Sequence, residues 1–541
     1  MLFIVLKGAI IMGKTIKYGI IILILTIMCI ILYSFSFNRV NAETNTTTND
    51  YEHKKLLIID NKEYTYKLGP YIEYIEDKNN ERSIEDISSG KLEKEFKRSK
   101  TEKLRFGYTS STYWLRFKIK NRIKDFNNWI IKIAYNMLDR VELFIPTESG
   151  TYIKKVAGDT IPLRKKELKH KDIAFPISLE NNTEKTYYMK IQTTGSMSIS
   201  PSIMSDKVFF YNDNNIQLFY GFIFGGFVTL ILFNIFIFSS TGDRSYLHYI
   251  LFISFLLLFY LIDTGYGYKL FWSDLPWFNT LYPVAGNLTG VFLILFSIKF
   301  LQTSKYTPIF NNLLMVVFVS GTLSAIISLF ISYRIAVIIF LVNQIIAIFL
   351  LPLTSIRSWI RGNKIARFYV IAWIIFFVGI LISNSIQLLN LISKDYFLLD
   401  NIYIIASHIS LILFSFALAD KINLMRKKTE ETSRRLNNLN IYLEKKVEER
   451  TSEYEEKNKE LESFSSIVAH DLRNPLSVII SAVNLINKKY IDKVPDKVKH
   501  ILDMLSERTE RIVKMINAIQ RYSSINKEKL VLQICDINEI I

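Results

Sequence analysis

Seven long apolar segments follow one another in the middle of this sequence, and they constrain its fold more than any other feature. Each is long enough to cross about 30 Å of hydrocarbon as a helix. They span residues 216–238, 246–268, 281–301, 309–331, 335–353, 368–392 and 396–419. The sequence therefore predicts a seven-helix membrane domain over residues 213–420. Half of the chain being hydrophobic agrees with that prediction.

The basic residues of the connecting segments predict how this domain is oriented, because loops rich in Lys and Arg stay in the cytoplasm. One set carries eleven of them: Arg244, Lys299, Lys305, Arg357, Arg361, Lys364, Arg367, Lys421, Arg426, Lys427 and Lys428. The other set carries four: Lys207, Lys269, Arg334 and Lys394. We therefore expect the region before the helices to lie outside the cell and the region after them to lie in the cytoplasm.

Residues 1–42 are typical of an export signal or an N-terminal anchor. An apolar run over residues 18–37 comes after Lys14 and Lys17, and Ala42 is a small residue at a cleavage position. The run of about 20 residues is also long enough to stay in the membrane as an anchor. Cleavage near Ala42 is the favoured interpretation. With either alternative the region after residue 42 is exported, in agreement with the loop charges.

Residues 43–208 alternate aromatic or β-branched side chains with polar ones, as in TYWLRFKIKN (112–121) and RVELFIP (140–146). Period-two segments separated by polar turns predict an all-β, jelly-roll-like sandwich of antiparallel strands. The two cysteines, Cys29 and Cys535, are too far apart to indicate a disulfide, and neither has metal-ligand spacing. We expect the sandwich to depend on its apolar core alone.

After Asp420 the chain is charged, contains no glycine and is typical of long helices. Residues 421–462 carry a broken heptad pattern, with a stutter between Leu443 and Val447, which predicts a coiled-coil linker. Residues 463–526 form two amphipathic segments separated by a break that contains Pro495, and Pro475 is expected to kink the first. A dimer of such helical hairpins makes a four-helix bundle.

The string SFSSIVAHDLRNPLSVI, residues 463–479, contains the residues with chemical potential. His470 lies beside the apolar seam, and a neutral imidazole nitrogen is a nucleophile near pH 7. Asp471 is a candidate to accept the proton of the other ring nitrogen, although adjacent residues on a helix do not face each other. Arg473 and Asn474 share the histidine's face, where Arg473 is a candidate phosphoryl contact and Asn474 a candidate to orient a water molecule. An exposed surface histidine without chemistry is the alternative.

This segment is similar to the phosphoacceptor box of the histidine kinase A family. The matching residues are Phe464, Ser466, His470, Asp471, Leu472, Arg473, Asn474, Pro475 and Leu476. The resemblance implies a bacterial two-component sensor kinase in which His470 accepts the γ-phosphoryl of ATP and passes it to an aspartate on the receiver domain of a response regulator. It further implies that Asp471 is the acid/base, that Asn474 supports dephosphorylation, that the chain is a homodimer, and that ATP and Mg are the cofactors of the complete kinase.

The upstream region resembles the seven-transmembrane receptors with diverse intracellular signalling modules, on the strength of YWLRFKIKN (113–121) and the seven apolar segments. The resemblance implies a location in the bacterial inner membrane and an outer domain like carbohydrate-binding sandwiches. Trp114, Trp129 and Tyr135 are then candidates to stack on an unidentified small extracellular ligand, such as a sugar. The alternative is that they belong to the core. His408, inside the last apolar segment, is a candidate for sensing or for a hydrogen bond between helices.

The region beyond residue 379 contains no glycine, so no glycine-rich phosphate loop comes after the hairpin. Residues 527–541 resemble the start of the family's ATPase domain, and we expect a fragment of a longer kinase or a truncated product. The alternative function is a non-catalytic membrane receptor or phosphotransfer subunit that lacks its own ATPase domain. The net charge of +17 is spread along the chain, which argues against a nucleic-acid partner and leaves membrane lipid as the expected surroundings.

Overall fold

The computed structural model describes residues 55–389 and 401–524. The predicted signal or anchor at residues 1–42 and the predicted ATPase start at residues 527–541 lie outside these ranges. Two compact units divide the chain, Met1–Asn423 and Leu424–Ile541. The first contains a β-rich domain and the membrane helices, and the second contains a helical arm.

The β-rich domain, here called the β-domain, contains thirteen strands within the described residues. They are β1 Leu57–Ile59, β2 Tyr66–Lys67, β3 Glu73–Asp77, β4 Lys97–Arg98, β5 Leu104–Tyr108, β6 Thr112–Asn121, β7 Asn128–Ile133, β8 Arg140–Pro146, β9 Tyr152–Ala157, β10 Ile173–Ser178, β11 Glu184–Gln192, β12 Ser196–Ile199 and β13 Pro201–Ser205.

Two main sheets make up this domain. The larger has the order β4-β3-β6-β11-β8-β9, with β1 parallel to the end of β6, and the smaller has the order β10-β7-β13-β2. Neighbouring strands within these two orders are antiparallel. Because side chains alternate between the faces of a strand, Leu115 and Phe117 of β6 lie in one apolar core while Trp114 lies in another on the opposite face. The prediction of an all-β layered domain is confirmed.

Seven helices of the described residues are long and apolar enough to cross a membrane. They are α1 Asp206–Thr241, α2 Arg244–Asp263, α3 Tyr282–Leu301, α4 Pro308–Ile327, α5 Tyr333–Ile360, α6 Ala366–Leu389 and α7 Ile402–Lys489. Short helices at Ile84–Ser88, Tyr266–Leu270 and Thr303–Tyr306 join or cover the longer elements. The chain is therefore a multi-pass membrane protein, as the hydropathy pattern predicts.

Strand β13 passes into α1 without a linker. Ser205 is the last residue of β13 and the N-cap of α1, where its Oγ accepts a hydrogen bond from the backbone N–H of Val208 at 3.3 Å. Such a cap satisfies one of the amide groups that a helix start leaves unpaired. At the other end, α1 stops at Gly242, whose φ of 65° suits a residue without a side chain.

Polar side chains inside the membrane domain pair between helices. Ser320 of α4 donates to the Asn343 amide oxygen of α5 at 2.8 Å, and the Gln344 amide donates to the Gly286 carbonyl of α3 at 3.0 Å. These contacts remove the cost of leaving polar groups unpaired in hydrocarbon. His408 behaves differently, because its buried Nδ1 has no hydrogen-bond partner among the described residues.

The helical arm consists of the long continuation of α7 and of α8, Asp496–Ser524. Helix α7 has 88 residues and includes Pro475 without a break in its span. A turn of 3-10 helix at Ile491–Lys493 leads to α8. The predicted hairpin is confirmed, but the linker and the first hairpin helix belong to the same helix as the last membrane segment.

Candidate phosphoacceptor site

His470 lies on a fully helical stretch of α7 and faces solvent. Its side chain is 68% exposed, whereas the preceding Ala469 is only 4% exposed. This difference results from the helical period, since a step of one residue turns the side chain by about 100°. The imidazole is therefore open to a reactant, as a phosphoryl acceptor requires.

The Asp471 carboxylate lies next to the imidazole. The distance from His470 Nδ1 to Asp471 Oδ1 is 3.3 Å, although the two residues are adjacent on the helix. A carboxylate oxygen accepts hydrogen bonds, so this contact favours a proton on Nδ1 and a lone pair on Nε2. The arrangement thus leaves Nε2 as the nucleophilic atom.

Arg473 does not point at the imidazole in this arrangement. Its Nη2 donates to the side-chain oxygens of Asn517 and Gln520 on α8, both at 2.9 Å. In this arrangement Arg473 joins the two helices of the hairpin, and its role as a phosphoryl contact stays a prediction. Sequence spacing gave no indication of either partner, because they lie 44 and 47 residues further along the chain.

Asn474 is exposed and lies four residues after His470, on the same side of α7. The geometry leaves room for a water molecule or a second protein next to both side chains. Its predicted role in dephosphorylation stays a prediction. No group of three or more His, Cys, Asp or Glu side chains in the described ranges is arranged to hold a metal ion.

Two of the three aromatic candidates for ligand binding are buried in the core of the β-domain. Trp114 and Trp129 are each 1% exposed, and they pack against Phe144 and Phe126 at ring-centroid distances of 5.4 and 5.2 Å. Neither ring has a free face, so the sugar-stacking interpretation does not hold for these two side chains. Tyr135 is half-buried against the core of the β-domain, and its role as a ligand contact stays a prediction.

Comparison with known proteins agrees with this domain order. Residues 69–205 match the model described as 7TMR-DISM extracellular 2, and residues 216–421 match 7TM diverse intracellular signalling. Residues 460–528 match the His Kinase A (phospho-acceptor) domain, which includes His470.

A curated relative is similar over a shorter stretch. Cyanobacterial phytochrome B of Nostoc sp. is 32% identical over 89 residues, which is 16% of this chain and 12% of the relative. The chain thus spans about an eighth of that relative's length. The three matches show that the chain contains a 7TMR-DISM extracellular domain, a seven-transmembrane domain of the 7TM diverse intracellular signalling type and a His Kinase A phosphoacceptor domain, in that order.

Proposed function

We propose that this chain is a transmembrane sensor histidine kinase that accepts phosphoryl on His470 and passes it to a response-regulator aspartate. The observation that carries the proposal is the exposed His470 imidazole with Asp471 on its Nδ1, inside the matched phosphoacceptor domain. We assign the nucleotide and its Mg²⁺ to an ATPase domain that acts on the hairpin, because the match over residues 460–528 is to a phosphoacceptor domain.

In the proposed transfer, His470 Nε2 attacks the γ-phosphorus of ATP. The new N–P bond forms as the bond from phosphorus to the bridging oxygen of ADP breaks, and ADP leaves with that electron pair. The imidazole becomes cationic, and the Asp471 carboxylate stabilises it through the Nδ1–H bond. Transfer onward moves the phosphoryl to an aspartate oxygen and restores the neutral imidazole.

The proposed orientation places the β-domain outside the inner membrane of a bacterium and the helical arm in the cytoplasm. The eleven basic residues on one set of connecting segments, against four on the other, support it. A phosphoacceptor must meet cytoplasmic ATP, so the same orientation is required by the function.

The proposed partner for the hairpin is a second copy of the chain. An apolar stripe on α8 is open in the single chain, with exposed fractions between 44% and 64% for Ile501, Leu505, Ile512, Met515 and Ile519. Amphipathic helices bury such a stripe, and a second hairpin offers a matching one. The proposed receiver of the phosphoryl group is the receiver domain of a response regulator.

The test uses the full chain in lipid nanodiscs with radiolabelled ATP and Mg²⁺, alone and with an added ATPase domain from a His Kinase A-type kinase. We expect acid-labile label that is lost in His470→Gln and kept in His500→Gln, a matched change at an exposed histidine of α8. Label that persists in His470→Gln contradicts the proposal.

A second candidate is a phosphotransfer subunit, which the exposed His470 imidazole inside the matched phosphoacceptor domain also supports. It predicts no label from ATP under either condition, but transfer from a phosphorylated response regulator back to His470.

A further inference from the structure

Helices α1 and α7 contact each other at three levels of the membrane domain. The Tyr220 hydroxyl donates to the amide oxygen of Asn401, the residue before α7, at 2.7 Å. One level further, the Phe227 ring lies 5.2 Å from the His408 ring, centroid to centroid. At the third level the Asn234 amide lies 3.5 Å from the Ser415 hydroxyl. We call these three pairs the α1/α7 seam.

The seam has a regular spacing. Each step from one pair to the next is seven residues on both helices, from 220 through 227 to 234 and from 401 through 408 to 415. A constant offset of 181 residues means that the helices run in the same direction. A seven-residue repeat between parallel helices is the geometry of a two-stranded coiled coil. The first and last membrane helices therefore share a continuous parallel interface.

The second and third pairs of the seam are incompletely bonded. Asn234 Oδ1 and His408 Nδ1 are both buried without a hydrogen-bond partner among the described residues. Each such atom has given up its hydrogen bonds to water without a replacement, which destabilises the arrangement. Gly226 gives the His408 ring its space, since a Cβ there would lie 2.5 Å from His408 Cε1. A shift of one helix along the other that brings a polar partner to either atom removes this penalty, so the seam is a place where the two helices can adjust.

The end of α1 next to the β-domain is tied to that domain by buried charged groups. Asp213 Oδ1 of α1 lies 2.9 Å from His170 Nε2, and the His170 Nδ1 accepts a hydrogen bond from the backbone N–H of Asp172 at 3.1 Å. Asp172 in turn pairs with Lys132 of β7 at 2.7 Å. Because these groups are buried, and because Ser205 joins β13 directly to α1, a movement of the β-domain is passed to α1.

The opposite end of α1 is tied to α7. Asp243, just beyond α1, pairs with Lys421 of α7 at 2.5 Å, and the Lys421 side chain is only 6% exposed. Asp420 of α7, directly before Lys421, pairs with Arg367 of α6 at 2.6 Å. Breaking a buried pair leaves a charge without a partner, so these contacts define where α7 leaves the bundle.

We propose that α1 carries the signal from the β-domain to α7 through a shift at the α1/α7 seam. The alternative route runs through α2 and α3, where the Asn279 amide donates to the Asp159 carbonyl and the Leu163 N–H donates to the Ser273 carbonyl. The seam is favoured because α7 is the helix that continues to His470. The effect on phosphate at His470 rests on the proposed function.

The test locks the seam with a reversible disulfide. Asn234→Cys and Ser415→Cys are introduced together, with Cys29→Ser and Cys535→Ser to remove the native thiols. The matched control is Ser320→Cys with Asn343→Cys, which lies at a polar contact between α4 and α5 and includes neither seam helix. Oxidised and reduced forms of one protein are compared in nanodiscs, so a folding defect affects both forms equally.

Two substitutions disturb the β-domain end of α1 in place of a natural signal. Asp213→Asn and His170→Gln each weaken the contact between Asp213 and His170. In the reduced seam pair we expect either change to alter His470 phosphate at least threefold. After oxidation we expect less than a 1.5-fold effect. In the oxidised control pair the threefold effect remains.

Three outcomes overturn the inference. The first is that Asp213→Asn or His170→Gln still alters His470 phosphate in the oxidised seam pair, and the second is that this effect is also lost in the oxidised control pair. The third is that neither substitution alters His470 phosphate in the reduced seam pair. Amide hydrogen exchange over residues 424–470 is measured in the same samples. If His470 takes no phosphate even in the unmodified chain, the proposed function fails. The inference on α1 is then decided by whether the two substitutions change amide exchange over residues 424–470 in the reduced seam pair and not in the oxidised one.

Discussion

Asp471 touches the imidazole of the residue directly before it, which a regular helix does not bring about by spacing alone. The 3.3 Å contact depends on the side-chain conformations of two exposed residues, and their side chains are 68% and 72% exposed. In water such a pair adds little to stability. Its value is chemical, because it assigns the proton to one ring nitrogen and leaves the other free to react.

Replacing Asp471 with Asn is expected to slow phosphorylation of His470 by about 100-fold, the lower end of what acid–base assistance contributes. The amide keeps the shape but no longer stabilises a cationic imidazole. Single-turnover labelling with an added ATPase domain measures the rate, with Asp503→Asn on α8 as the exposed control. A rate within threefold of the unmodified chain contradicts the role assigned to Asp471.

Asp159 of the β-domain predicts a pH dependence of stability. Burial, together with the nearby Asp139 carboxylate, raises the pKa of Asp159 to about 7, and its Oδ1 is buried without a hydrogen-bond partner among the described residues. An unfolded aspartate has a pKa near 3.9. Between about pH 4 and pH 7 the folded state thus holds a proton that the unfolded state lacks. Stability falls as the pH rises through this window and levels off above it.

Asp159→Asn is expected to remove that loss and to stabilise the β-domain at pH 8 by about 2 kcal/mol, with little effect at pH 4. The apparent melting temperature of the full-length protein in detergent, measured at both pH values, checks it. Asp125→Asn, at an exposed turn position with φ of 56°, is the control. An equal rise in the melting temperature of Asp159→Asn at both pH values would show that the charge of Asp159 is not the cause.

At the scale of the elements, the hairpin is joined by a polar link close to its reactive residue. Arg473 of α7, three residues after His470, binds Asn517 and Gln520 of α8. Periodicity predicted both helices, because their apolar stripes recur at helical spacing. It did not predict the link, since a hydrogen bond between residues 44 positions apart leaves no local pattern.

Arg473→Ala is expected to destabilise the hairpin by about 1–2 kcal/mol, because two hydrogen bonds from a charged donor are lost at a partly exposed site. Amide exchange of the full chain over residues 513–524 should accelerate by about tenfold. Arg511→Ala, at an exposed position of the same helix, should leave these amides unchanged. Equal acceleration in both variants contradicts the specific link.

Several elements could be predicted from the sequence and others could not. Strand β6 was predicted from alternation, but alternation does not tell which faces are covered. Trp114 is buried because the helix Ile84–Ser88 supplies Ile87 to that face. Pro475 was expected to kink the hairpin helix, since proline lacks an N–H donor. The helix continues through Pro475, because one missing hydrogen bond does not end a long helix, and the expected kink stays a prediction.

At the scale of the whole molecule, orientation is the property that hydropathy and charge predict together. The β-domain comes after an export-like segment, and the basic connecting segments are predicted to lie on the opposite side of the membrane. The export-like segment and the charges of the connecting segments involve different residues, and both predict the same orientation. The α1/α7 seam could not be predicted from the sequence, because its paired residues are 181 positions apart and contacts at that separation leave no local pattern.

A membrane-impermeant maleimide is expected to label Ser149→Cys in intact cells and Ser452→Cys only after the membrane is opened. Ser149 is exposed in the turn between β8 and β9, and Ser452 is exposed on α7. Both variants carry Cys29→Ser and Cys535→Ser, so that only the introduced thiol reacts. The reverse pattern of labelling contradicts the proposed orientation.

The continuity of helix α7 has a consequence for exchanging the helical arm for another output module. Helix α7 is a single helix from Ile402 to Lys489. Each residue added to it turns everything downstream by about 100°. A foreign output module can therefore be grafted here only at junctions that preserve helical phase. Insertions of seven residues, close to two full turns, are compatible with a working chimera, whereas insertions of two residues present the module in the wrong direction.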